Sequence, residues 1–361
     1  MSADKKPVRL LILGTGNMAR SHADAFRRIE DVDLVAAVDQ RADVLSAFAR
    51  EFSIPQTFET LDAALDWNAF DAATNVTPDA AHHPTTMKLL EAGKHVLCEK
   101  PLATNASHAW DMANTARARN LIGMVNLSYR DVPALQKAAE LVRGGAIGAL
   151  RHFEASYLQS WLTQPAWGDW RTESQWLWRL STAHGSNGVL GDVGIHILDF
   201  TVFAAGSGVK DLSCRLKTFD KSDGGRIGDY KLDANDSFTL QAELENSAIG
   251  TISATRFASG HLNDLRLRLY GDEGGLEVLF ENRTSGLRIC RGPNLTSAHW
   301  EDVETPEVPT VYQRFAAAIR GEGPEAPGFE DGASLQAALD LAERSHEQNG
   351  AFLRLASPTS G

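Results

Sequence analysis

Short apolar runs and amphipathic stretches alternate along the first third of the chain. "VRLLILG" is a continuous apolar run closed by glycine, the pattern of a strand buried on both faces. A helical segment follows, roughly Met18 to Ile29. "DLVAAVD", "FDAATNVT", "KHVLCEKP" and "LIGMVNLSY" read as further strands. "RADVLSAFAREF", "HHPTTMKLLEAG" and "NASHAWDMANTARARN" read as the helices between them. Strand and helix in alternation predict a doubly wound parallel sheet of the α/β class.

The pattern changes after about residue 127. "VPALQKAAELVRGG" is a helix, and "LRHFEASYL" opens a strand-rich region. "DSFTLQAELENSAIGTISATRFA" predicts a hairpin turning at Glu245-Asn246. "DLRLRLYGDEGGLEVLFENRTSGLRIC" supplies strands around a "GDEGG" turn signal, and "GASLQAALDLAERSHEQ" is an amphipathic helix. Long strands with few helices predict an α+β second domain built on a large, mostly antiparallel open sheet. The expected domains are residues 1–126 and 127–361, and only the tail "ASPTSG" reads as loose.

Composition narrows the function classes. With 361 residues the chain can bury a core in each domain, and 43% hydrophobic against 23% charged residues is a globular balance. A formal net charge of −12 argues against nucleic acid or an anionic membrane as partner. Three scattered cysteines, Cys98, Cys214 and Cys290, give neither a disulfide framework nor a zinc spacing, so a reducing, cytoplasmic setting is expected. The apolar run before Gly14 is too short for a signal-peptide core.

"GTGNMA" follows the first strand and opens the first helix. Gly14 permits the tight turn, Gly16 lets backbone approach a pyrophosphate, and Ala19 keeps the helix close to the sheet. With Thr15, Asn17 and Met18 they form a candidate dinucleotide turn, because the helix N-terminus offers N–H groups and a positive dipole end. Asp39 ends the second strand, where a carboxylate accepts hydrogen bonds from the adenosine ribose. Its charge opposes a 2′-phosphate and favours NAD over NADP, whereas neighbouring Arg41 would accommodate NADP; Gln40 lies between them.

"GDVGIHILDF" sets Asp192 and His196 four residues apart in an otherwise apolar run that reads as a buried helix. One face of a helix would carry both. The pair fits a metal site, an acid/base couple or two satisfied core residues. No third ligand of suitable type stands nearby and the dinucleotide supplies redox chemistry, so no metal is expected. Upstream, "WLTQPAWGDWRTESQWLWR" holds five of the eight tryptophans at irregular spacing. Substrate stacking, a subunit interface and internal packing fit it equally.

"GKHVLCEKPLA" (Gly93 to Ala103), "TP…H" (Thr77, Pro78, His82) and "WRL…GVLGDVGIHILD" (Trp178 to Asp199) resemble motifs of the glucose–fructose oxidoreductase/inositol dehydrogenase family, Gfo/Idh/MocA, over about residues 7–345. The resemblance implies NAD(P)-dependent oxidation or reduction of sugars, inositols and related polyols. It implies Lys100, Asp192 and His196 as catalytic residues. Thr77, Pro78, His82, Glu99, Lys100 and Asn126 would line the cofactor, and Tyr129 and Arg179 would join the catalytic three around substrate. Lys100 comes from one domain and His196 from the other, so the site is expected at the crevice between them. A homodimer or homotetramer through the second-domain sheet is also implied. "GSNG" (Gly185 to Gly188) and "YRDVP" (Tyr129 to Pro133) depart from the family pattern near the substrate. Two other readings share the motifs: glycoside cleavage or sugar rearrangement with a recycled, tightly bound NAD, and a dinucleotide sensor without catalysis.

Overall fold

The computed structural model describes residues 6–165 and 167–356, so residues 357–361 of the expected loose tail lie outside the described residues. It divides into two compact units, Met1–Ser128 with Pro309–Gln336, and Tyr129–Val308 with Ala337–Gly361.

The first unit alternates β1 (Val8–Leu13), α1 (Asn17–Phe26), β2 (Val32–Val38), α2 (Ala42–Phe52), β3 (Gln56–Phe58), α3 (Leu61–Trp67), β4 (Ala72–Asn75), α4 (Asp79–Glu91), β5 (His95–Cys98), α5 (Ala106–Ala118) and β6 (Gly123–Val125). The strands run parallel in the order β3-β2-β1-β4-β5-β6. Leu10, Leu11 and Ile12 are all fully buried, as a strand covered on both faces requires. The order reverses between β1 and β4, the switch point at which open α/β sheets bind ligands. β3 and α3 have no counterpart in the sequence reading, because β3 is short and largely exposed and α3 spans only two turns.

A single cut near residue 126 does not describe the first unit. The segment Pro309–Gln336 returns to it. Helix Val311–Ile319, started by a Thr310/Gln313 capping box, packs Val311, Phe315, Ala316 and Ala318 with Val8, Leu10, Phe26 and Met124. Met124 bridges to Gly328, and the Gly123 N–H donates to Glu325 Oε1 at 2.9 Å. The apolar stripe of that helix says that it must pack, but not against which domain.

The second unit holds a nine-stranded sheet in the order Glu301–Asp302, Thr284–Arg291, Gly274–Glu281, Asn263–Gly271, Leu150–Gln159, Ile249–Thr255, Ser237–Leu244, Val209–Lys217, Leu353–Arg354. All neighbours are antiparallel except Leu150–Gln159 with Ile249–Thr255. In the expected hairpin Phe238 faces Ala254 and Leu240 faces Ile252. That register buries these four and turns Thr239 and Ser253 to the other face. Helices Pro133–Arg143 and Ile195–Ala205 pack with one another in this unit.

Candidate functional site: a dinucleotide turn, a buried lysine loop and an aspartate–histidine turn

The β1–α1 turn has the geometry of a phosphate cradle. Gly14 sits at φ +88°, and a Cβ there would lie 2.7 Å from the Val76 carbonyl oxygen, so glycine is required. Gly16 differs. Its backbone is extended, and a Cβ would meet nothing within 4 Å, leaving room for a ligand against the main chain. Helix α1 starts at Asn17 with no side-chain cap, so its first N–H groups are not consumed by one. Asn17 and Met18 are exposed beside the turn.

Asp39, at the end of β2, binds the same turn from below. Its Oδ2 accepts from Thr15 N at 2.9 Å and Thr15 Oγ1 at 2.8 Å, and Arg41 reaches both oxygens with Nε and Nη2 at 3.1 Å. Burial raises the carboxyl's pKa, but the hydrogen bonds from Arg41 and Thr15 outweigh it and hold Asp39 well below the usual range. It stays anionic. Gln40 is exposed.

At the ends of β4 and β5 the side chains turn inward. Thr77 donates Oγ1 to Asn75 Oδ1 at 2.7 Å, and Pro78 leads into α4. His82 is fully buried, with Nδ1 2.8 Å from the Pro101 carbonyl and Nε2 2.9 Å from the Thr77 carbonyl. Glu99 is also enclosed. Its Oε1 meets His22 Nε2 at 2.7 Å and Asn126 Nδ2 at 2.6 Å, and its Oε2 accepts the Lys100 N–H at 3.0 Å. Burial pushes the Glu99 carboxyl up, but His22, Asn126 and Lys100 bring it down to about 2. The side chains of His82 and Glu99, expected against a cofactor, are therefore committed inside the protein. Lys100 is only partly buried. Asn126 Oδ1 is buried and has no hydrogen-bond partner among the described residues. The open Gly16, the uncapped helix and anionic Asp39 all fit NAD(P).

In the second unit, "GDVGIHILDF" is not one α-helix. Leu190–Gly194 forms a π turn that runs into helix Ile195–Ala205. The Val189 and Leu190 N–H groups donate to Asn235 O at 2.8 Å and Asn235 Oδ1 at 3.0 Å, which anchors the turn from outside the helix. π turns inside helices recur at functional sites. Asp192 lies in the turn, 31% exposed at its side chain, with Arg256 Nη2 at 3.0 Å and Arg179 Nε at 3.9 Å. Arg256 is fully buried, donates Nη1 to the Arg179 carbonyl at 3.0 Å and stacks 5.0 Å from the Trp161 ring. Burial lowers its pKa, while Asp192 opposes that shift. His196 is 8% exposed, and Tyr129 presents its ring edge-on at 4.9 Å. The Tyr129 hydroxyl closes a trio with Tyr157 at 2.5 Å and Asn263 at 3.0 Å. One turn beyond His196, Asp199 takes a bidentate pair from Arg130, Nη2 to Oδ1 at 2.6 Å and Nε to Oδ2 at 3.1 Å.

The tryptophans divide. Trp161 and Trp170 are core, packed with Leu162, Leu177, Leu180 and Leu232, and Trp167 and Trp176 lie against them. Trp178 is 39% exposed, with the Arg179 guanidinium 4.6 Å from its ring. Lys100 belongs to the first unit, Asp192 and His196 to the second.

Sequence reasoning missed His22 and Arg256, yet both left a signal. His22 falls on the buried stripe of α1 with Ala19, Ala23 and Phe26, where an imidazole needs a partner. Arg256 continues the inward register of Ile252 and Ala254, where a charge needs a counter-ion.

Residues 8–127 match the family model described as "Oxidoreductase family, NAD-binding Rossmann fold", and residues 135–277 match "GFO/IDH/MocA C-terminal domain". Levoglucosan dehydrogenase of Pseudarthrobacter phenanthrenivorans is 26% identical over 294 residues, 75% of this chain and 73% of that protein. Inositol 2-dehydrogenase of Rhizobium meliloti is 25% identical over 344 residues, 94% of this chain and 96% of that protein. A levoglucosan dehydrogenase solved with NADH and levoglucosan shares the fold, with a TM-score of 0.83 at 22% identity over 98% of this chain and all of that one (100%). The chain belongs to the Gfo/Idh/MocA family of NAD(P)-dependent oxidoreductases.

Proposed function

We propose that the protein transfers a hydride between NAD(P) and a secondary carbinol or ketone of a sugar, inositol or sugar derivative. Lys100, Asp192 and His196 handle the proton. The observation that carries this reading is the first unit's C-terminal strand edge. The Gly14–Gly16 turn after β1, Asp39 at the end of β2 and Lys100 after β5 share that edge of one parallel sheet, which supports reading Lys100 as the group beside the cofactor's reactive end. The relatives named for levoglucosan and inositol support the substrate class.

Bound NAD(P) supplies the hydride acceptor or donor. The Gly14–Met18 turn holds its phosphates, and Asp39 its adenosine ribose. NAD is the preferred form, because Asp39 is anionic and Arg41 is already paired with it. Thr77, Pro78 and Asn126 border the nicotinamide. The Lys100 ammonium stabilises the developing alkoxide, and His196 takes the hydroxyl proton. Asp192 favours the charged imidazole, and Tyr129 and Arg179 shape the substrate side. Three buried free thiols support a reducing, cytoplasmic setting. The protein works as a homodimer or homotetramer through the second unit's sheet. Light scattering on the purified protein tests that state, and a monomer at working concentration overturns it.

Nicotinamide absorbance, followed with NAD or NADP against a panel of sugars and inositols, tests the reaction. Net reduction with at least one polyol supports it. Product without net NADH favours the recycled-cofactor reading, and tight NADH binding without turnover on any carbohydrate favours the sensor.

A further inference from the structure

We propose that two buried histidines, His22 and His82, are positioning residues that grip Lys100 through its two chain neighbours, Glu99 and Pro101, and that His82 does so as an imidazolium. The proposal rests on the reading of Lys100 as a catalytic residue.

The grip is closed on both sides. On the N-terminal side, His22 of α1 meets Glu99 Oε1 at 2.7 Å, and its other nitrogen meets Thr74 Oγ1 at 2.7 Å. Asn126 adds a donor at 2.6 Å, which leaves Oε2 to hold the Lys100 N–H at 3.0 Å. Helix α1 also carries the dinucleotide turn at its start, so one helix orients both the phosphate cradle and the lysine loop. On the C-terminal side, His82 ties the Pro101 carbonyl to the Thr77 carbonyl, joining the loops that leave β5 and β4. Both histidines are 0% exposed, so neither is available as a solvent-facing acid or base.

The charge of His82 follows from donor and acceptor chemistry. A carbonyl oxygen only accepts, and a neutral imidazole has one N–H. Two ring nitrogens facing two carbonyls at 2.8 and 2.9 Å therefore both carry hydrogen. The surroundings agree. Burial lowers the imidazole's pKa, while the Asp79 carboxylate on its own helix and the Pro101 carbonyl raise it. A cation fixed between two loop carbonyls locks the loops more tightly than a neutral ring would. Precision matters here, because a misplacement of about 1 Å in a reacting group costs about 100-fold in rate.

Two measurements test this. Nitrogen-15 spectra of the NADH complex at about pH 8, above histidine's ordinary range, report His82 directly. Two protonated ring nitrogens are expected, and a neutral ring overturns the imidazolium. In parallel, His22→Leu, His82→Leu and His82→Gln are combined with Lys100→Met, using the polyol the wild type turns over best. The leucine variants are expected to lower kcat about tenfold or more while NADH affinity and KM stay within about twofold, with glutamine restoring part of the loss. In the Lys100→Met background the same changes should have no effect on kcat. An equal loss in both backgrounds overturns the positioning role. Should a leucine variant fail to fold, exchange of the Lys100 amide in His82→Gln decides: unchanged protection overturns the grip. Full turnover by Lys100→Met alone removes the catalytic lysine instead, and the nitrogen-15 result stands apart from it.

Discussion

Glu99 and Asp192 are the carboxylates around which the two units arrange their polar chemistry, and they are held in opposite ways. Glu99 is sealed, with His22, Asn126 and the Lys100 N–H converging on it inside the first unit. Asp192 is sealed on one side only. Buried Arg256 holds it from behind, and its side chain remains 31% exposed. A carboxylate enclosed by donors positions its neighbours. One backed by a buried cation and open in front keeps part of its surface accessible. The comparison turns shared chemistry into separate roles, and it can be broken in graded ways.

The largest effect on stability belongs to a third carboxylate that sets the scale. Arg130 and Asp199 are both nearly inaccessible, at 6% and 1%. Arg130→Met strands a buried charge and should cost about 3–5 kcal/mol, read by denaturant unfolding. Glu99→Gln follows, at about 2 kcal/mol, because the amide replaces a charge that three donors were paired with. A loss smaller than that of Asp192→Asn would reverse the assignment of the two carboxylates.

Acid unfolding sharpens the same point. The Glu99 pKa is 4.5 as an ordinary glutamate and about 2 in the folded protein. A folded value below the unfolded one stabilises above about 4.5, and that contribution is lost as pH falls through about 2. Wild type should therefore lose stability more steeply than Glu99→Gln across that window, and parallel curves would contradict a sealed, ionised Glu99.

Asp192→Asn should cost only about 1 kcal/mol, because the amide oxygen still accepts from Arg256, while kcat falls about 100-fold. Gly16→Ala is the smallest change in stability, near zero, since its Cβ enters open space. NADH affinity, measured by fluorescence titration, should still drop about tenfold. Gly14→Ala at the neighbouring position should instead destabilise by about 1–3 kcal/mol through its positive φ and the Val76 carbonyl.

The sequence and the structure part company at identifiable places. The dinucleotide turn was legible because an apolar run, two glycines and a helix start are local signals. The β-hairpin at Glu245-Asn246 was legible because alternation fixes which residues face inward. The return of Val311–Ile319 to the first unit was not, since packing partners are non-local. The π turn at Leu190–Gly194 depends on Asn235, forty residues on, and no local pattern announces it. At the site, Lys100, Asp192 and His196 stood out by motif. Their buried polar surroundings, His22, His82 and Arg256, come into view only once the strands pair and each buried polar atom is followed to its partner.

Steady-state NAD reduction by Lys100→Met and His196→Ala beside wild type, with NADH binding measured on the same samples, tests the central claim most directly. Turnover of the best polyol should fall about 100-fold or more in both variants, with NADH affinity within about threefold of wild type. Equal turnover in the three proteins would contradict the roles assigned to Lys100 and His196.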